Sequence, residues 1–445
     1  MPWLDSTYLI LGGLIALFWM LFAVTSYQEK RPRAALVSVV ILVGFGLLWF
    51  GAYIPGLPNS IIAAVSVVVV AFFLLFFLPL GRTTGLAIGS ITKRVDERDT
   101  MFAREEYRPG TEKYNQYYRM RPELKRVDDR IRGLPGLLHP RTRYYEKAQA
   151  HAVESTFQTI AHLASQVDGP VASERVEVEP ERLTKDLKRL IRDLGAADVG
   201  VAQLNQMFVY SHVGRGPEPW GTPIENNHRF AIAFTLEMAY ERVEAAPDLP
   251  ITVESARQYL RMALISVAVA RYIRNFGYPA RAHISDSNYQ VILPPIANDA
   301  GLGELGRHGY LIAPDLGSRV RLGAITTDLP LITDEPIEFG VQEFCTKCRK
   351  CAVNCPPGAI PKGFKTTVRS VEKWQLDIER CIRYWRTIGT DCGLCMKVCP
   401  YSHPPTLVHN LVRAGIKRSA VARRISAWGD DVLYGRHARY PRFID

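Results

Sequence analysis

All eight cysteines of this 445-residue chain fall between positions 345 and 399. The first four, in CTKCRKCAVNCP (Cys345–Pro356), have the spacing C-x2-C-x2-C-x3-C-P of bacterial ferredoxins. A short loop of this kind lets three thiolates converge on one cubane, while the fourth cysteine turns away to a second one. The other motif, CGLCMKVCP (Cys392–Pro400), has only three cysteines, and Cys381 upstream supplies the missing ligand. The crossed pattern then gives two 4Fe–4S sets with no cysteine left over. Cys345, Cys348, Cys351 and Cys399 form one, and Cys355, Cys381, Cys392 and Cys395 the other. Two all-cysteine zinc sites are the structural alternative, which the spacing and the proline after the fourth cysteine disfavour. A disulfide scaffold fits poorly, since such chains are short and spread their cysteines along their length.

The N-terminal region sets a second constraint. Tyr8–Ser26, Ala35–Ile54 and Ile61–Leu80 carry no charge. Each has about the 20 residues needed to cross a hydrocarbon core of roughly 30 Å. No basic n-region precedes the first run and no twin-arginine signal is visible, which argues against a cleaved leader. Lys30, Arg31 and Arg33 lie between the first two runs, and Arg82, Lys93, Arg94 and Arg98 follow the third. The positive-inside rule therefore predicts a multi-pass protein of the cytoplasmic membrane, N-terminus outside and everything after Leu80 in the cytoplasm. A net charge of +11 suits an anionic membrane surface or nucleic acid without choosing between them.

Five regions follow: 1–80, three transmembrane helices; 81–150, a charged, tyrosine-rich linker and wrap; 151–335, a core; 336–410, the two-cluster domain; 411–445, a basic tail. In the core, Val199–Leu204, Phe230–Leu236 and Gln290–Leu293 read as strands, and Arg257–Asn275 as a helix stopped by Gly277. Val408–Trp428 reads as one basic helix, either resting on anionic lipid or solvated.

From Val95 to the second cysteine motif the chain resembles the cobalamin-dependent reductive dehalogenases, here with an N-terminal three-helix anchor fused on. The resemblance rests on VDERDTMFAR (Val95–Arg104), FVYSH (Phe208–His212), LEM (Leu236–Met238), YIRNFGYPA (Tyr272–Ala280), AGLGELGRHGYLIAP (Ala300–Pro314), GSRVRLGAITTDLPL (Gly317–Leu331) and FGVQEFC (Phe339–Cys345). It implies an α/β nitroreductase-like core binding a base-off corrinoid, joined to the two-cluster ferredoxin-like module. Three pocket residues are implied: Tyr259 as proton donor, Arg321 beside it, and Asn288. Ser318 stands where the family's pattern before the arginine has proline. The block holding Gly301, Gly303, Gly306 and Arg307 is a candidate cofactor contact.

The implied reaction is reductive removal of halide from an organohalide. The electron donor would be a quinol, ferredoxin, flavodoxin or partner reductase, and the remaining partner is membrane lipid, not nucleic acid. A carbon–halogen bond resists protein nucleophiles, so the cofactor must carry that step. The carbon then needs a proton, and a guanidinium beside a tyrosine favours the phenolate left behind. Two other readings are an epoxyqueuosine-reductase-like enzyme acting on tRNA, and a membrane-bound electron-transfer subunit without corrinoid. Three apolar runs and the Tyr259–Arg321 arrangement argue against the first. The long core before the cysteines would have no task in the second. On this reading, truncation after Leu80 leaves a soluble enzyme.

Overall fold

A computed structural model describes residues 2–53, 56–285 and 289–438. The chain forms two compact units. Of the described residues, the first takes those of 2–84, 338–350 and 403–438; the second takes those of 85–337 and 351–402.

In the first unit the apolar runs become α1 (Pro2–Gln28), α2 (Pro32–Tyr53) and α3 (Asn59–Phe77), each long and apolar enough to cross a membrane. Leu14, Val40, Leu47, Val67 and Leu74 stay exposed, as side chains facing lipid would be. A polar-tipped aromatic pair locks α1 to α2. Tyr8 stacks on Trp49 at 4.2 Å, its hydroxyl donates to the Trp49 carbonyl, and the Trp49 indole donates to the Tyr8 carbonyl. Gly12 makes room for this: a Cβ there would lie 2.2 Å from Trp49 Nε1.

The C-terminal segment is two helices, not the single basic helix expected. Leu407–Arg418 and Ala420–Tyr434 are separated at Ser419, whose extended backbone ends the first. The Ser419 hydroxyl caps the second helix and also donates to the Leu75 carbonyl. Both helices pack on the anchor, burying Val408, Ile416, Ala422 and Leu433. Arg423 is buried and donates to the Ile416 and Arg82 carbonyls, so this cation of the basic pattern is internal.

The second unit centres on four antiparallel strands: β1 (Asp198–Gln203), β2 (Phe230–Glu237), β3 (Ala280–His283) and β4 (Val320–Thr327). Their order is β1-β2-β4-β3. Alternation sorts β2 into two faces. Ile232, Phe234 and Leu236 join a core with Met262, Ile265, Val269 and Ile273 of the long Pro250–Asn275 helix. Ala231 and Ala233 face the other way, toward Ile296 and Ala297 of the Leu293–Asp299 helix. The predicted helix end holds, with Gly277 at a φ of +81°. The predicted strand at Gln290–Leu293 does not form. Only Val291 makes an isolated bridge, to Val209, and Pro294 and Pro295 open a helix at the place where a missing N–H costs nothing. Much of residues 81–150 is helical: Met101–Glu106, Glu112–Met120 and Pro122–Arg132 surround a tyrosine cluster of Tyr107, Tyr114, Tyr117 and Tyr118.

Candidate active site

Thr252, Ser255 and Tyr259 stand at i, i+3 and i+7 of the Pro250–Asn275 helix, and so share one face. Arg321 comes from β4, in register with Leu236 of β2. Its guanidinium donates from Nη1 to Tyr259 Oη at 3.3 Å and lies 5.0 Å from that ring's centre. Nη2 donates to the Ser255 hydroxyl and pairs with Asp391 Oδ2 at 3.1 Å. Asp391 also accepts from Ser255 at 2.5 Å and from Thr252 at 2.8 Å. Burial by itself disfavours the guanidinium's charge, but Tyr259, Asp391, Tyr310 and Tyr289 around it raise its affinity for the proton. The arginine is therefore a fixed cation with three of its directions defined.

Arg321 and Asp391 also line a cavity with Cys355, Cys381, Cys392, Cys395, His308 and Tyr310. The four cysteines of one predicted set thus share one cavity. Cys392 and Gly393 both take left-handed backbone conformations, turning the chain before the short Leu394–Lys397 helix that carries Cys395. Burial, and then mutual repulsion, pushes the Cys381 thiol up to about 12 and those of Cys392 and Cys395 higher still. Burial raises Cys355 as well. Four such thiols can ionise together only beside compensating positive charge, which an iron–sulfur core supplies. Two buried nitrogens at this cavity lack a hydrogen-bond partner among the described residues: Arg321 Nε and His308 Nε2. The His308 ring accepts the Tyr310 backbone N–H at Nδ1, which leaves the proton on Nε2. Both unpartnered groups are donors, as a polar cofactor edge needs.

The other predicted set is divided between the units. Cys345 and Cys348 sit on the Val341–Cys348 helix of the first, and Cys351 and Cys399 belong to the second. Asn288 lies outside the described residues. In the glycine block the contacts are internal. A Cβ at Gly301 would lie 2.7 Å from the Glu335 carbonyl, one at Gly303 2.2 Å from the Ile312 carbonyl, and one at Gly306 2.7 Å from Ile312 Cδ1. Arg307 donates to the Pro361 and Gly363 carbonyls and stacks on Trp374 at 4.4 Å.

Sequence reasoning passed over Asp391, Ser255 and His308. The spacing of Ser255 to Tyr259 on one helix, and the position of Asp391 beside Cys392, were the available signals. For His308 it was its place in the Ala300–Pro314 block, next to Arg307.

Residues 344–403 match the family model of a 4Fe-4S dicluster domain, which sets the class as redox proteins built around such a domain. A tetrachloroethene reductive dehalogenase of Sulfurospirillum multivorans is 33% identical over 292 residues, covering 58% of this chain and 58% of that protein. A solved reductive dehalogenase, described as carrying out B12-dependent dehalogenation, has 29% identity and a TM-score of 0.65, covering 81% of this chain and 49% of that one. An epoxyqueuosine reductase of Salmonella typhimurium is 40% identical over 128 residues, 25% of this chain and 30% of its own length. The chain has the fold of the solved reductive dehalogenase, with a dicluster domain and three apolar N-terminal helices. It spans about half the length of the relatives it matches.

Proposed function

We propose that this protein is a membrane-anchored, cobalamin-dependent reductive dehalogenase that converts R–X, two electrons and a proton to R–H and X⁻. The observation that carries this reading is that Arg321 touches both the Tyr259 hydroxyl and the cavity lined by Cys355, Cys381, Cys392 and Cys395. A proton donor and an electron-entry point are thereby joined by one residue. The dehalogenase likeness also covers 58% of the chain, against 25% for the epoxyqueuosine reductase.

Those four cysteines would hold one 4Fe–4S cluster, and Cys345, Cys348, Cys351 and Cys399 the other. A base-off corrinoid would sit in the core, which we read as nitroreductase-like. When bound, the corrinoid and clusters supply low-potential electrons and a nucleophilic cobalt able to break a carbon–halogen bond. The residues of the chain do the rest. Tyr259 Oη gives its proton to the dehalogenated carbon, and Arg321 stabilises the phenolate that remains. Asp391 and Ser255 hold the guanidinium in place. Asn288 is the third pocket residue. Gly301, Gly303, Gly306 and Arg307 shape the cofactor's edge through the turn they build. The substrate class is organohalides. Electrons come from a quinol, ferredoxin, flavodoxin or partner reductase. The helices cross the cytoplasmic membrane, with lipid as their partner and the second unit in the cytoplasm; nucleic acid is not a partner.

Metal analysis after anaerobic purification tests this reading. About eight irons and one cobalt per chain are expected. Iron near four, or cobalt absent from protein purified with corrinoid available, would overturn it.

A further inference from the structure

The first unit buries a second group of ligand-bearing side chains, none of which lines the cavity above. Glu29 lies just beyond the last residue of α1, and His403 and His409 lie on either side of the start of the Leu407–Arg418 helix. Their ligand atoms all fall within 4.8 Å of one another. Glu29 Oε1 is 2.9 Å from His409 Nε2, and the two side chains are 5% and 7% exposed. The second carboxylate oxygen, Oε2, is buried and has no hydrogen-bond partner among the described residues. His403 Nε2 is 2.9 Å from Asp430 Oδ1, and Asp430 is itself ion-paired with Lys350. An imidazole fixed through one nitrogen by a carboxylate offers its other nitrogen to a metal, the usual support for a ligating histidine. Tyr434 Oη stands 3.4 Å from His409 Nε2. Around the group runs an apolar collar of Phe22, Val408 and Leu433.

We propose that Glu29, His403 and His409 bind one divalent zinc ion, clamping the end of α1 to the C-terminal helices. Two imidazoles and a carboxylate are a zinc donor set, with the fourth position left to water or to Tyr434. Bonds of about 2.0–2.1 Å place tetrahedral ligand atoms about 3.4 Å apart. The Glu29–His409 edge is already that short, and the other ligand atoms lie within 4.8 Å of it. A bare Glu29–His409 pair leaves the buried acceptor Oε2 unsatisfied, which is unfavourable. A metal removes that cost.

Zinc analysis of the full-length, cluster-loaded protein in detergent, washed with EDTA and then given Zn²⁺, tests the proposal. About one tightly held zinc per chain is expected, with an X-ray absorption edge showing nitrogen and oxygen neighbours. The double variant His403→Ala/His409→Ala should lower retained zinc about tenfold with iron unchanged. Glu29→Gln, which keeps the packing, should weaken it in the same direction. No retained zinc in the wild type would overturn the proposal. So would zinc with sulfur neighbours only, or zinc held equally by wild type and Glu29→Gln. None of these results depends on dehalogenation.

Discussion

Tyr259 and Arg321 meet because a helix and a strand deliver them, but Asp391 and Ser255 decide the guanidinium's orientation. Tyr259→Phe removes only the hydroxyl, so iron and cobalt content should stay at wild-type level. Turnover should fall by roughly 10²–10⁴, the usual worth of a positioned acid. Single-turnover kinetics on the loaded variant check this, and an unchanged rate would remove Tyr259 from the role. A second residue makes a prediction about stability. Burial raises the Asp299 carboxyl to about 6, against about 3.9 in an unfolded chain. The native state therefore holds a proton that the unfolded state has lost between about pH 4 and 6, and stability falls as pH rises through that window. By about pH 7 the deficit is fully developed, lessened by the solvent that reaches this part-exposed carboxyl. Asp299→Asn should raise the melting temperature at pH 7 and do little at pH 4. Equal effects at both would show that the carboxyl is not proton-bound in the fold.

At the scale of elements, β1 and the end of the Leu293–Asp299 helix touch at Gly200, where a Cβ would lie 1.9 Å from the Ala300 carbonyl oxygen. No side chain's flexible end is available to yield there. Gly200→Ala should cost about 1–3 kcal/mol, measured as a lower unfolding temperature. A neutral effect would mean that the strand and helix separate freely. Elements of this kind also show what was legible beforehand. β1, β2 and the long helix were readable because each is a strongly patterned run bounded by polar or glycine residues. β3 is four residues long and takes its identity from pairing with β4, so no local pattern marks it. The run at Gln290–Leu293 has a strand's composition, but the two prolines that follow commit the chain to a helix. Among site residues, the cysteines were legible from spacing and Tyr259 and Arg321 from resemblance. Asp391 was marked only by its place beside Cys392, because its partners lie more than 60 residues away in sequence.

Across the molecule, the first unit draws its parts from both ends of the chain. Truncation after Leu80 would strip Phe22 and Ala34 from Val408 and Leu433 and leave that apolar face bare. Such a fragment should aggregate without detergent, contrary to the soluble enzyme expected from sequence. A soluble, monomeric fragment in size-exclusion chromatography would show that the C-terminal helices find other cover. The Lys30–Arg33 loop should be shielded from impermeant amine reagents in intact cells, by charge bias. Labelling there without permeabilisation would reverse the orientation. The central claim is the chemistry, and halide release tests it most directly. Anaerobic protein carrying cobalt and iron, given a strong one-electron reductant and a panel of aryl and alkyl organohalides, should release one halide per two electrons consumed. The hydrogenated product should appear in equal amount. Fully loaded protein that releases no halide from any of them would contradict the account.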